Sequence, residues 1–159
     1  MTSHSLGRRL RLVVVVAMFA TALGLAPAVS AAAPQPVIMT SHMTFNPVGF
    51  NYGDFTVAGG GGLICASGSV LDTGLVFAGF QSNQKVQILV LKDFTCPDGI
   101  IHIKIQVHID FVTGETFTWV VLGGTGAYEH LSGSGQGTTI PNADPNSGNT
   151  NIYTGFLLG

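Results

Sequence analysis

Arginine is confined to the first eleven residues of this 159-residue chain, and charged side chains make up only 9% of it. Beyond residue 31 the basic side chains are Lys85, Lys92 and Lys104. Against them stand eight acids, Asp54, Asp72, Asp93, Asp98, Asp110, Glu115, Glu129 and Asp144, so three cations against eight anions leave a net −5. Nucleic-acid binding rests on neutralising phosphates with Lys and Arg, and an anionic membrane surface is held by the same residues. Both partners are excluded by this balance. Helical periodicity is almost missing after residue 31, as are coiled-coil heptads, internal repeats of 20–50 residues and any N-x-S/T acceptor. The length suits one domain around one core.

The one long apolar run lies at the N-terminus. Arg8, Arg9 and Arg11 precede an apolar stretch from Leu12 to Leu25. Pro27 and the small residues Val29-Ser30-Ala31-Ala32-Ala33 follow it. Basic start, apolar middle and small-residue site, in that order, predict a cleavable secretory signal over 1–31 and a mature domain over 32–159. A membrane anchor needs about 20 mainly apolar residues with suitable flanks, and this run is shorter. Cleavage after Ala31 uses Val29 and Ala31, whereas cleavage after Ala33 would leave Pro34 first. Arg8-Arg9 also suggests the twin-arginine route, although Arg11 stands where that signal prefers an apolar residue. The expected location is extracellular.

Cys65 and Cys96 are the only cysteines. In an oxidising compartment an even count predicts a bridge. The alternative is a pair of free thiols at a redox or metal site, but they form no C-x-x-C and have no histidine at ligand spacing.

The remainder alternates and is punctuated by glycine. From Ile101 to Phe111 every odd position is apolar and every even position polar, the pattern of a half-buried antiparallel strand. Further strands are predicted at 85–92 and 117–122, with weaker ones at 37–44, 54–57, 63–71, 75–80, 135–140 and 152–158. Turns are read at Cys96-Pro97-Asp98-Gly99 and Thr113-Gly114-Glu115. Residues 32–36, 59–62 and 141–149 read as flexible segments. Short strands at this spacing indicate a sandwich or a barrel.

Gly123-Gly124-Thr125-Gly126 after an apolar strand invites a dinucleotide-binding reading. The third glycine of that motif would fall on Glu129, a carboxylate where pyrophosphate must approach. Glycines that turn the chain sharply, followed by one helical turn at 127–131, explain the segment better. The strand, the run Gly123-Gly124-Thr125-Gly126-Ala127-Tyr128, Leu131, Gly133-Ser134-Gly135 and a last strand with Tyr153-Thr154-Gly155 resemble the C-terminal half of the allene oxide cyclase-like and dirigent-like barrels. Exported actinobacterial proteins with one early cysteine and one before an Asp-Gly turn look similar, and Cys65 and Cys96-Pro97-Asp98-Gly99 match that arrangement. The resemblance covers about 60–158 and is concentrated in 117–137. It implies an all-β, eight-stranded antiparallel barrel with one short helical turn, whose interior is packed or holds a small apolar molecule. It implies no cofactor. Characterised members include cyclases and proteins that orient radical coupling, but a chain without arginine after residue 11 lacks the means for an arginine-dependent mechanism.

On strand 101–111 the polar side chains His102, Lys104, Gln106, His108 and Asp110 share a face expected to be the outer wall. The inverse arrangement would place them in a polar lumen and leave the isoleucine stripe for a partner subunit to cover, so a homo-oligomer stays open. Ile103, Ile105, Val107, Phe117 and Trp119 then face inward, to fill a core or line a ligand pocket. Tyr128 and Glu129, beside the glycine turn, are the polar groups expected nearest a barrel mouth. His102 and His108 stand about 20 Å apart along a strand and cannot share an ion whose bonds are about 2 Å long; His108 with Asp110 supplies at most two ligands, and no metal site is expected. Gly133-Ser134-Gly135 lacks the spacing of a nucleophile elbow. Three readings follow: an exported barrel that binds or shapes a small apolar molecule without a cofactor, a cyclase or isomerase of the same type, and an extracellular structural protein with a packed barrel.

Overall fold

The computed structural model describes residues 33–82 and 85–159; the segment read as a signal lies outside them. Eight antiparallel strands close into one barrel in chain order, each paired with its sequence neighbours and the last with the first. They are β1 (Gln35–Thr44), β2 (Tyr52–Gly59), β3 (Ser67–Ser82), β4 (Lys85–Cys96), β5 (Gly99–Asp110), β6 (Gly114–Gly124), β7 (Ser132–Pro141) and β8 (Gly148–Leu158). Closure leaves no unpaired edge, so an all-β chain of this size needs no second sheet. Where one helical turn was expected there are two short 3-10 turns, Gly60–Gly62 and Gly126–Tyr128. Among the described residues no helix is long and apolar enough to cross a membrane.

The alternation read at 101–111 sets the inside of the wall. Ile101, Ile103, Ile105 and Val107 are buried, while His102, Lys104, Gln106 and His108 lie on the outer side. Phe111 departs from this parity: the strand ends at Asp110, and Phe111 stands in the turn, 67% exposed. Asp110 holds that turn, its carboxylate accepting from Val112 N at 2.9 Å and Thr113 N at 3.2 Å. These backbone donors lower its pKa.

The segments read as separate strands at 63–71 and 75–80 are one long strand, β3. Its register shifts between Asp72 and Gly74 and again between Phe77 and Gly79. A bulge adds one residue and moves the following side chains to the other face. Thr73 is that residue, so Val70 and Asp72 point inward before it and Leu75, opposite Val90, points inward after it. Flexible segments shorten similarly: Gln35 and Pro36 belong to β1, and the connection expected over 141–149 narrows to 142–147. That connection is knit by Asn142 N to Gly148 O (3.2 Å), Ser147 N to Asp144 O (3.0 Å) and Asn146 N to Asp144 Oδ1 (2.9 Å).

One end of the barrel is plugged. Ile64, Cys96, Tyr128 and Leu131 are buried there, and Leu63 and Cys65 pack against them. The Cys65–Cys96 disulfide ties the β2–β3 connection to the end of β4 across 31 residues. Gly126, at φ 61°, lets Ala127 N reach Asp98 O at 3.0 Å, which folds the glycine segment over the β4–β5 turn. Above this plug sits an aromatic layer centred on Tyr153. Its ring meets Phe117 at 4.9 Å, Phe94 at 5.7 Å and Trp119 at 6.4 Å between centroids, all edge to face, and Phe55 meets Phe94 at 4.9 Å. Burying each such ring contributes about 1.5–3 kcal/mol. Glycines opposite make the room: Trp119 pairs with Gly135 and Phe117 with Gly137, and Gly135 pairs with Gly155.

A methyl group on Gly137 would run into the Phe117 ring, and one on Gly155 would lie 2.6 Å from Trp119 Cζ2. Gly137→Ala is therefore expected to lower unfolding free energy by about 1–3 kcal/mol, as overpacking does, read as a fall in urea midpoint. Removing the bridge as Cys65→Ser with Cys96→Ser is expected to cost about 3–4 kcal/mol in the same assay.

Candidate functional site

The barrel is packed from its plug through the aromatic layer and hollow above it. A cavity of about 170 Å³ opens at the end where β1, β5 and β7 finish and β2, β6 and β8 begin. Its wall is largely aliphatic, with Leu75, Ile88, Val90, Ile105, Val107 and Ile109 on β3, β4 and β5. Met43, Phe45 and Phe117 complete the apolar part, and the remaining lining is polar: Asn51, Asp72, Lys92, Glu115, Thr139, Asn149 and Asn151.

The polar groups form a layer on top of the aromatic one. Asp72 and Lys92 are direct cross-strand partners, both inward-facing and nearly closed to solvent at 4% and 6% exposure. Lys92 Nζ donates to Asp72 Oδ1. Asp72 Oδ2 accepts from Asn51 Nδ2 at 3.0 Å, and Asp72 N donates to Asn51 O at 2.8 Å. The β1–β2 connection is thereby hooked onto the ion pair. Desolvating two charges costs several kcal/mol per ion unless each is paired and hydrogen-bonded, and the carboxylate here has both. Across the mouth, the Thr139 hydroxyl lies 2.6 Å from Glu115 Oε1 and 2.9 Å from Asn151 Oδ1, and donates to one at a time. Asn151 Nδ2 reaches Asn149 Oδ1 at 3.1 Å and Ser41 Oγ at 3.5 Å.

Of the residues expected to line a pocket, the structure brings Ile105, Val107 and Phe117 together at the cavity. Ile103 is buried opposite Lys92, below the cavity wall, and Trp119 belongs to the aromatic layer. Tyr128 is buried in the plug at the opposite end, and Glu129 is exposed beside it. The glycine turn folds over the β4–β5 turn at that end, where Tyr128 borders an open depression of about 450 Å³ with Leu63, Ile64, Asp98 and His130. Asn51, Asp72, Lys92, Thr139 and Asn151 were missed. A signal for one of them existed: with Val86, Val90 and Phe94 inside, Lys92 shares their parity on β4.

Among the described residues no histidine lines the cavity. His102 Nδ1 meets Asp93 Oδ1 at 2.7 Å on the outer wall, and His42 Nδ1 meets Thr150 Oγ1 at 3.0 Å. Among the described residues no group of three or more His, Cys, Asp or Glu could hold a metal ion. A wider depression of about 790 Å³ runs over the outside of β7 and β8, but its polar groups, Thr118, Ser134, Gln136 and Thr154, are exposed.

Beneath the polar layer the Tyr153 hydroxyl is fully buried without a hydrogen-bond partner. Burial raises its pKa above the usual 10.0; the Ser41 hydroxyl works against this and the Asp72 carboxylate adds to it. The folded state therefore holds the proton that the unfolded chain releases. This stability is whole below pH 10.0 and is lost as pH rises past it. Tyr153→Phe removes both the loss and the unsatisfied hydroxyl. The variant should gain about 1 kcal/mol at pH 7 and should show a shallower fall in melting temperature than the parent above pH 10.0. No family model, curated protein or solved structure matches this chain.

Proposed function

We propose that this chain is an exported, disulfide-linked β-barrel whose mouth binds or shapes a small apolar molecule without a cofactor, in the manner of the allene oxide cyclase-like and dirigent-like barrels that its glycine-rich half resembles. The observation that carries the reading is the cavity itself: an aliphatic wall at one end of a barrel whose interior is packed below the polar layer. The surroundings of the mouth support it. Val48, Phe50, Phe111 and Val112 on its connections, and Phe77 and Phe80 on β3, are each more than half exposed. Residues 1–31 carry the three parts of a secretory signal. The Cys65–Cys96 bridge suits an oxidising compartment.

The volume limits the ligand. About 170 Å³ falls short of the roughly 300–1,000 Å³ of a drug-sized site and is close to the roughly 150 Å³ of an apolar cavity that takes up benzene. The enclosed part of the ligand is therefore about one ring with a short substituent, and anything longer projects through the mouth. The buried ion pair beside that space favours a second reading, a cofactor-independent cyclase or isomerase in which Asp72, Lys92 or Glu115 moves a proton on the bound molecule.

Titration with ethylbenzene tests the binding reading. Methyl resonances of Ile88, Val90, Ile105 and Val107 should shift in saturable fashion, while Val37 and Ile101 near the plug should not. Uniform or absent shifts would count against it. Native mass spectrometry of protein from culture supernatant should find a chain beginning at Ala32 and two hydrogens lighter than its reduced form.

A further inference from the structure

We propose, building on the cavity reading above, that Lys92 is the anchor of the site and that the ligand it selects is a neutral carbonyl compound, an apolar body of about one ring bearing an aldehyde or ketone oxygen. A lysine ammonium has three donors and no acceptor. Among the described residues Asp72 is its only hydrogen-bond partner, and the side chain lines the cavity while 7% exposed. Its two other N–H groups have no acceptor among the described residues, on a side chain that borders the cavity. A buried donor without an acceptor is costly to leave so, and a ligand oxygen satisfies it without displacing the protein's own bonds.

Charge chooses among acceptors. Asp72 already neutralises Lys92, and Glu115 adds a further negative charge to the same lining. A carboxylate would give up its hydration to enter a space of net charge −1 and pay that desolvation with no free cation in return. A neutral carbonyl takes the two donors through its dipole and avoids the penalty. A hydrocarbon of the same shape fills the cavity and leaves the donors unmet. Hydroxyl donors find less than carbonyl acceptors do, since both Asp72 oxygens and one Glu115 oxygen are already occupied.

The test compares four probes of similar size on the intact, oxidised protein: acetophenone, ethylbenzene, benzoate and benzylammonium. Acetophenone is expected to bind at least about 10-fold more tightly than ethylbenzene, the scale on which a site built for hydrogen bonding rejects an analogue lacking the group. Benzoate should be weaker than acetophenone by a similar factor. The carbonyl stretch of acetophenone should move to lower frequency on binding. Equal affinity for ethylbenzene and acetophenone would overturn the anchor while leaving the apolar cavity standing. A preference for benzoate would overturn the charge argument, a preference for benzylammonium would overturn the choice of an acceptor as ligand, and either would overturn the proposal. Failure of all four would remove the cavity reading as well.

Lys92→Met combined with Asp72→Asn removes both charges together, so neither is left buried alone. In that variant the ratio of acetophenone affinity to ethylbenzene affinity should fall to about one. Retained acetophenone preference would overturn the proposal. If the double variant does not fold, the probe order and the carbonyl shift of the parent protein decide it.

Discussion

The space inside a closed eight-stranded barrel is finite, and its filling governs the rest of this molecule. Trp119, Phe117 and Tyr153 occupy the middle of that space because the facing positions on β7 and β8, Gly135, Gly137 and Gly155, have no side chains. A small residue opposite each large one is how a narrow barrel reaches interior density. The aromatic layer divides the interior into two unequal parts. Below it lie the plug and the disulfide; above it remain the polar layer and the cavity.

The polar layer follows from that division. Once the rings are seated, the next inward position toward the mouth on β1, β3, β4, β7 and β8 is polar and buried or half-buried. Ser41, Asp72, Lys92, Thr139 and Asn151 hold these places. Charges there must be paired, and the register that sets Asp72 opposite Lys92 pairs them. The Thr73 bulge just above them returns Leu75 to the inside, so the wall becomes apolar again toward solvent. The cavity is thus polar at its floor and on one flank, and greasy elsewhere.

The two halves of the chain carry different duties in this arrangement. The glycine-rich segment from Gly123 to Gly137 builds the plug and makes room for the rings, and no side chain of it reaches the cavity. The aliphatic part of the cavity wall comes from β3, β4 and β5. The disulfide sits at the closed end, far along the chain direction from the mouth. The plug and the cavity are therefore separate in space.

Strand identity was legible wherever the side-chain period of two ran uninterrupted, as at 101–111, because parity is a local property of the pleat. The acidic balance and the pairing of Cys65 with Cys96 were readable too, since a count and an even pair of cysteines need no geometry. The barrel's strand number came through resemblance, not through periodicity. What only the tertiary structure decided was which end of the barrel is closed and which positions meet across it. A bulge at Thr73 shifts parity without leaving a mark that alternation can detect, and closure brings β8 beside β1, so that Asn151 meets Ser41 from 110 residues away. Tyr128 is buried in the plug with Glu129 exposed beside it, while Asp72 and Lys92 meet inside the barrel through a register that only the paired strands display.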